Sequence, residues 1–455
     1  MLENFEKIKI SVIGALRSGV ASAELLKSLG AIVFVSDMTD AAKLQDSVKM
    51  LEASGIDYEC GSHTDKVFDC SLMIISPGVP SNAKVVIEAH RRNIKVISEL
   101  EAASWFCKSS IIAVTGSNGK TTTASLIGEI FKIAGKKHEV AGNIGIAFSR
   151  VVKNMDEDST AILEVSSFQL DHIDKFRPNI SAILNITADH MDRYDNSMEK
   201  YSVSKARIFM NQTAEDVLIY NHDDEIVKRI VQDAKCKLMP FSVREELSAG
   251  SYLHTKSDGA QSIIIKHKND IVELIDVEDI YIKGVHNVYN SIAASLAAYA
   301  AGIENDVIAR ALKSFKGVEH RLEFVRELKG VKYINDSKAT NVDSVWYAIN
   351  AINEPIVLLL GGRDKGNDYS KLFKPVQEKV KAIIAIGESA DKVCTEFREF
   401  TEIKITYSMT EAIQKAFEIS VAGDVVLLSP ACASFDWFEN YEHRGKVFKE
   451  LVNKL

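Results

Sequence analysis

At 455 residues the chain is long for one hydrophobic core, and roughly two to four domains are expected. Its 46% hydrophobic and 26% charged residues suit a soluble globular protein, and a net charge of −8 offers no basic footprint for nucleic acid. The longest apolar run, residues 292–301, is about half of the ~20 residues a bilayer span needs, so membrane insertion is not expected.

Six cysteines lie scattered at 60, 70, 107, 236, 394 and 432 with no CxxC, which reads as reduced thiols rather than a disulfide or zinc framework. The first residues mix acids with lysines and lack the apolar run of a signal peptide, so a cytoplasmic location is expected.

Residues 1–98 alternate short apolar runs with helical patterns: strands at 8–13, 32–36, 72–75 and 96–97, and a helix at 20–29. Such alternation predicts a parallel sheet covered by helices. The turn Gly14-Ala15-Leu16-Arg17-Ser18-Gly19 follows the first strand and Asp37 ends the second. This is the spacing of a dinucleotide fingerprint with Leu16 in place of the middle glycine. Two readings stay open: a phosphate-facing turn with a ribose-binding acid, or a tight turn with a helix-capping Asp. A second turn, Ser76-Pro77-Gly78-Val79-Pro80, also follows a strand. Ligands of open α/β sheets bind at such carboxyl ends.

Residues 99–317 form the next segment, organised around the stretch IIAVTGSNGKTTT at 111–123. A β-prone run enters a turn at Gly116-Ser117-Asn118-Gly119, and helix formers follow from Ala124. Inward-facing N–H groups, a helix start and the charge of Lys120 make an anion site, and Thr121 or Thr122 offers a hydroxyl to Mg²⁺. The strict phosphate-loop pattern wants a glycine where this chain has Val114. Glu164 ends an apolar strand at 161–165, a position suited to a metal ligand or to a helix cap. The polar run from Asn185 to Arg193 follows another strand and is dense enough to line a site. Residues 198–211 read as a helix, 236–283 as a small antiparallel patch, and 284–302 and 307–315 as helices.

From residue 318 the α/β pattern restarts, with strands at 331–334, 356–360, 382–386, 403–407 and 425–428. Three polar loops follow strands here, at 335–341, 361–365 and 429–436, and in a parallel sheet they share one rim.

Together these stretches resemble the Mur ligases, the ATP-dependent amino-acid ligases of peptidoglycan precursor synthesis. TGSNGKTT at 115–122 is similar to that family's variant phosphate loop. NDSKATN at 335–341, LLLGG with DKG at 358–366, SPACASFD at 429–436, SPGV at 76–79 and DHMDRY at 189–194 resemble the branch that adds D-glutamate. The resemblance runs the length of the chain. It implies three α/β domains: a Rossmann-like 1–98 for the UDP sugar, a central P-loop ATPase-type 99–317 for ATP, and a Rossmann-like 318–455 for the amino acid.

The substrates it implies are UDP-N-acetylmuramoyl-L-alanine, D-glutamate and ATP, with two Mg²⁺ ions, handled by a monomer. Residues 116–122 with Asn287, Asn290, Arg321 and Asp336 would hold ATP, and Lys120, His190 and Lys205 would be catalytic. Thr121, Glu164, His190 and Lys205, the last as a carbamate, would bind metal. Gly14, Arg17, Ser18, Gly19, Asp37, Gly78 and Asn143 would hold the UDP sugar, although the Leu16-Arg17-Ser18 tip departs from the short hydroxyl-rich loop expected. Lys338, Thr340, Lys365, Ser434 and Tyr441 would hold D-glutamate, with Tyr441 where the family carries Phe.

The implied reaction phosphorylates the alanine carboxylate and lets the amine of D-glutamate attack the acyl phosphate. His190 would accept the amine's proton or serve beside a metal; both roles remain open. A folylpolyglutamate synthase, a nicotinamide oxidoreductase and a nucleotide-switched binding protein are the rival readings. The first lacks the motif at 335–341. The second needs a glycine at Leu16, and the third leaves the dense loops of the last segment unexplained.

Overall fold

The computed structural model describes residues 5–143, 145–267, 270–364 and 366–455. Lys365 lies outside the described residues. Chain contacts divide the molecule into two units: one runs through Tyr281 and takes in Val288–Phe315, and the other comprises Ile282–Asn287 with Lys316–Leu455. Among the described residues the strands form three sheets, two in the first unit and one in the second. No helix there is long and apolar enough to cross a membrane.

The first sheet contains β1 (Lys9–Ile13), β2 (Ile32–Asp37), β3 (Asp57–Cys60), β4 (Leu72–Ile75) and β5 (Lys95–Ser98). All pairs are parallel, in the order β3-β2-β1-β4-β5. β1 therefore sits at the switch point, with the turn at 14–19 between the loops that follow β2 and β4. The buried strands read as near-continuous apolar runs because helices cover both faces. β3, Asp-Tyr-Glu-Cys, is an edge strand with no apolar run, and the sequence pattern did not reveal it.

The second sheet comprises β6 (Ser110–Thr115), β7 (His138–Gly142), β8 (Thr160–Glu164), β9 (Ile180–Ile183), β10 (Val217–Asn221), β11 (Lys237–Ser242), β12 (Gly250–Thr255), β13 (Gln261–His267) and β14 (Asp270–Asp276). Their order is β14-β13-β12-β11-β10-β9-β6-β8-β7. β6 lies between β8 and β9, so the loops that follow these three strands meet at one rim. The antiparallel patch expected at 236–283 exists as β12–β14, yet it is no separate unit: β11 pairs in parallel with β10 and β12 and joins it to the main sheet. The helix expected over 198–211 stops at Ala206 and tightens into a 3₁₀ turn, Arg207–Phe209. There Arg207 reaches the carbonyls of Leu170 and Ile173, at 2.6 and 2.7 Å.

One buried carboxylate does much to join the two sheets of this unit. Glu101, on the helix Glu99–Ser104, accepts the backbone N–H groups of Asp174, Lys175 and Phe176 at 3.0, 2.9 and 2.8 Å, and the indole N–H of Trp105 at 2.6 Å. Glu101→Ala removes the acceptor shared by all four donors. It should lower stability by about 3 kcal/mol or more, read as a clear fall in the midpoint of thermal unfolding, with Glu101→Gln recovering part of it. An unmoved midpoint would mean that the donors find water at no cost.

The sheet of the second unit contains β15 (Glu323–Leu328), β16 (Val331–Asn335), β17 (Ile356–Gly361), β18 (Val380–Ile386), β19 (Glu402–Ile405) and β20 (Val425–Leu428), in the order β15-β16-β20-β17-β18-β19. Only the polar edge strand β15 runs antiparallel. β16, β20 and β17 are adjacent and parallel, which brings their three following loops to one rim, as their shared polarity predicted.

Candidate active site

The phosphate-loop stretch lies where β6 meets the helix Lys120–Ile133. Gly119 caps that helix at φ +86°, and a Cβ there would come within 2.2 Å of Asn290 Oδ1, so only glycine fits. Asn290 is buried against the loop and accepts from the Thr123 hydroxyl at 3.4 Å. Asn287, in the second unit, donates to the carbonyl of Lys283 at 2.8 Å.

The expectation that all the loop N–H groups face inward needs correction. Those of Ser117 and Asn118 donate to the backbone and side-chain oxygens of Asn185, at 2.9 and 2.8 Å. The Ser117 hydroxyl is likewise engaged, by Thr187 O at 2.8 Å and Tyr201 at 3.2 Å. A neighbouring loop has claimed these groups because β9 is the partner of β6. The anion site is left to the helix start, whose first N–H groups have no intrahelical acceptor, and to the lysines.

Lys120 donates to the carbonyls of Gly116 and Ser117, both at 2.8 Å. Lys205, on the helix Met198–Ala206, donates to the same Gly116 carbonyl at 2.9 Å and is 1% exposed. Burial, reinforced by the charge of Lys120, pulls the Lys205 amine well below the usual lysine range. A lysine on a helix face is ordinarily solvated; this one is at the centre of the site.

Glu164, 3% exposed at the end of β8, takes the Thr121 hydroxyl at 2.6 Å and the Asn143 side-chain amide at 3.0 Å. Gly142 makes room for this: a Cβ there would lie 2.4 Å from the Glu164 carbonyl. A hydroxyl and a carboxylate oxygen beside a phosphate-type loop are the hard donors that Mg²⁺ prefers, so these residues fit such an ion. His190 sits at φ +53°, its ring edge-on to Phe168 at 5.0 Å.

At the rim of the first sheet the Asp37 carboxylate accepts the Ala15 N–H at 2.6 Å and the Thr39 N–H at 2.8 Å, so it shapes the turn after β1. Ser76 backs the same turn, its hydroxyl 3.3 Å from the Gly14 carbonyl. Gly19 lies under the turn, close to Gly14 O. Arg17 reaches the carbonyl of Gly145 at 3.4 Å, and the Ser18 carbonyl accepts from Ser22 at 2.8 Å. The carbonyl of Gly78 accepts from Arg193 at 3.0 Å.

In the second unit the loops at 335–341 and 429–436 are tied together by Arg444, which sequence reading missed. Its guanidinium, 1% exposed, donates to the Ser337 hydroxyl (2.9 Å) and carbonyl (2.8 Å) and twice to the Cys432 carbonyl (3.1 Å). Burial lowers it to about 10. The third loop joins through paired backbone bonds between Arg363 and Ala433. Lys338 lies 3.4 Å from the Tyr441 hydroxyl, with its ammonium over the ring at 5.2 Å. Ser434 is buried and Thr340 half-buried nearby in sequence on the same two loops. Burial pushes the Asp336 carboxyl up to about 6 against the pull of Arg321; the carboxylate accepts from Ser429 at 2.8 Å and Leu322 N at 3.2 Å. His320, also missed, is held by Asn335 at 2.8 Å, and its carbonyl accepts the Lys338 N–H at 3.1 Å.

A phosphate loop with a hydroxyl–carboxylate pair at the rim of the parallel part of one sheet, and a separate sheet carrying a cationic, hydroxyl-rich rim, define a multidomain nucleotide-using α/β enzyme. Three family models match in succession: the MurD N-terminal domain over residues 9–85, the Mur ligase middle domain over 114–298 and the Mur ligase glutamate ligase domain over 320–432. The chain is 46% identical to the UDP-N-acetylmuramoylalanine--D-glutamate ligase of Chloroherpeton thalassium, over 100% of this chain and 99% of that protein. It is 43% identical to the enzyme of the same name from Salinibacter ruber, again over 100% and 99%. Among solved structures, UDP-N-acetylmuramate-alanine ligase of Thermotoga maritima superimposes with a TM-score of 0.62 at 20% identity, covering 98% of this chain and 99% of that one, a likeness of fold. The chain belongs to the Mur ligase family, the ATP-dependent ligases of peptidoglycan precursor synthesis.

Proposed function

We propose that this chain joins D-glutamate to UDP-N-acetylmuramoyl-L-alanine at the expense of ATP, as a cytoplasmic monomer using two Mg²⁺ ions. Residues 1–98 hold the UDP sugar, 99–317 the nucleotide and 318–455 the amino acid. The observation that carries the reading is the Thr121 hydroxyl on the Glu164 carboxylate, beside two lysines that share the Gly116 carbonyl.

A carboxylate is a poor electrophile. An oxygen of the alanine carboxylate therefore attacks the γ-phosphorus of ATP, ADP leaves, and an acyl phosphate remains on the sugar nucleotide. The amine of D-glutamate, having lost its proton, attacks the acyl carbon, and phosphate departs as the amide forms. Lys120 offsets the charge of the transferred phosphoryl group. Thr121, Glu164, His190 and Lys205, the last as a carbamate, would hold the metal ions, whose charge would draw the anionic partners together. Asn143 fixes the second carboxylate oxygen of Glu164 and faces the sugar nucleotide. Arg321 and Asp336 grip ATP, with Asn287 and Asn290 on the adenine side. Lys338, Thr340, Ser434 and Tyr441 receive the side-chain carboxylate of D-glutamate.

Phosphate release measured with UDP-N-acetylmuramoyl-L-alanine and a panel of amino acids tests this. Release should require D-glutamate and be negligible with its L-enantiomer or with alanine; equal release without any amino acid would overturn the ligase reading. Lys338→Ala should raise the Michaelis constant for D-glutamate by about tenfold or more and leave that for the sugar nucleotide little changed, because one carboxylate partner is lost. A selective loss of affinity for the sugar nucleotide would invert the domain roles.

A further inference from the structure

Arg193 is prominent in the structure and is used by none of the steps above. It belongs to the 3₁₀ turn Met191–Tyr194, next to His190, and its N–H donates to the His190 carbonyl at 3.0 Å. Its two terminal nitrogens donate to two successive carbonyls of the loop after β4, Nη1 to Pro77 O and Nη2 to Gly78 O, each at 3.0 Å. The guanidinium lies over the Phe168 ring, Cζ 4.1 Å from the centroid. Phe168 in turn touches the His190 ring edge-on at 5.0 Å and stacks on Tyr194. Its helix, Ser167–Leu170, begins three residues after Glu164.

The loop that Arg193 grips is the one that supports the turn after β1. Ser76 N–H donates to Ile13 O at 3.0 Å, and a Cβ on Gly14 would meet Ser76 at 2.8 Å, so the loop at 76–80 packs directly against the turn at 14–19. One residue thus touches, through its side chain, the loop that shapes the sugar-nucleotide rim and the ring that packs on His190, and, through its backbone N–H, the His190 carbonyl.

Adhesion between the two sheets does not depend on it. Glu101 with its three backbone donors at 174–176, the Lys95–Asp174 and Arg150–Glu24 ion pairs, and Ser98 N–H on the His172 carbonyl already join them. A planar fork over two adjacent carbonyls with an aromatic face beneath it is instead a geometric device, one that a lysine cannot reproduce.

We infer that Arg193 is a positioning residue: it latches the sugar-nucleotide loop at 76–80 to the His190 segment and so sets where the substrate's carboxylate lies relative to the phosphoryl donor. This inference rests on the functional reading above for its kinetic consequence, but the latch itself is a property of the fold.

Arg193→Ala and Arg193→Lys in the full-length enzyme test it. Misplacing a reacting group by about 1 Å costs up to ~100-fold, so turnover should fall by about 10- to 100-fold in both variants. The Michaelis constants for UDP-N-acetylmuramoyl-L-alanine, ATP and D-glutamate should each move by less than about threefold. Hydrogen exchange at the Gly78 and Val79 amides, read without substrate, should quicken in both.

Unchanged turnover, full turnover in Arg193→Lys, or a loss confined to the sugar-nucleotide Michaelis constant would each overturn the inference. The second would make charge the requirement, and the third would make Arg193 a direct ligand. Unaltered exchange at Gly78 and Val79 would overturn the latch even if the wild-type enzyme proved inactive on these substrates, an outcome that by itself refutes only the functional reading. If Arg193→Ala does not fold, Arg193→Lys decides.

Discussion

Lys205→Ala is expected to lose at least ~100-fold in turnover, the scale for removing one transition-state charge stabiliser, and to regain part of it in acetate or formate. The lysine is buried, donates to the carbonyl that Lys120 also uses, and is held well below the usual lysine range by burial and by that neighbouring charge. A neutral amine is what carbon dioxide carbamylates, and the resulting carboxylate is a hard oxygen ligand of the kind Mg²⁺ takes. A permanently cationic lysine would instead repel the metal ions. Small carboxylates fit the space vacated by the side chain, whereas Glu164→Ala, which also frees the Thr121 hydroxyl and the Asn143 amide, should show no rescue by the same acids. Full turnover of Lys205→Ala in bicarbonate-free buffer would show that the carbamate plays no part.

Lys120→Ala should likewise cut turnover by ~100-fold or more, with thermal stability little altered. Its ammonium bridges two carbonyls of its own loop, at Gly116 and Ser117, and stands at the first position of the helix. With the Ser117 and Asn118 N–H groups committed to Asn185, this charge carries a larger share of phosphate binding than in a loop whose amides all face inward. The same commitment predicts that nucleotide affinity falls along with turnover. Near-normal phosphate release by the variant would remove the loop from the chemistry.

Local signals in the sequence marked the parts of the candidate site but not their partners. A β-prone run, a glycine turn and helix formers mark the phosphate loop, and strand-then-polar-loop transitions mark the rims, since each depends on a few consecutive residues. Parallel packing then brings the loops after β16, β17 and β20 together, as their order in the chain does not reveal but their shared chemistry suggests. Arg444 was invisible because nothing in the helix Tyr441–Val452 distinguishes a buried arginine from a solvated one; its acceptors, Ser337 and Cys432, come from two other loops. Glu101 reads as an ordinary acid until the segment 174–176 supplies its donors. The diversion of loop amides to Asn185 depends on β9 lying beside β6, which no spacing encodes. The polar edge strands β3 and β15 lack the apolar alternation by which strands are recognised, because one side of each is left without a sheet neighbour.

The most direct test of the account follows the oxygen. Enzyme, ATP, D-glutamate and UDP-N-acetylmuramoyl-L-alanine labelled with heavy oxygen in its alanine carboxylate are combined, and the released phosphate and the sugar-nucleotide product are weighed by mass spectrometry. Activation of the carboxylate through an acyl phosphate predicts phosphate carrying a single heavy oxygen and a product extended by one glutamate residue. Unlabelled phosphate, or labelled phosphate with no D-glutamate-dependent product, would contradict it.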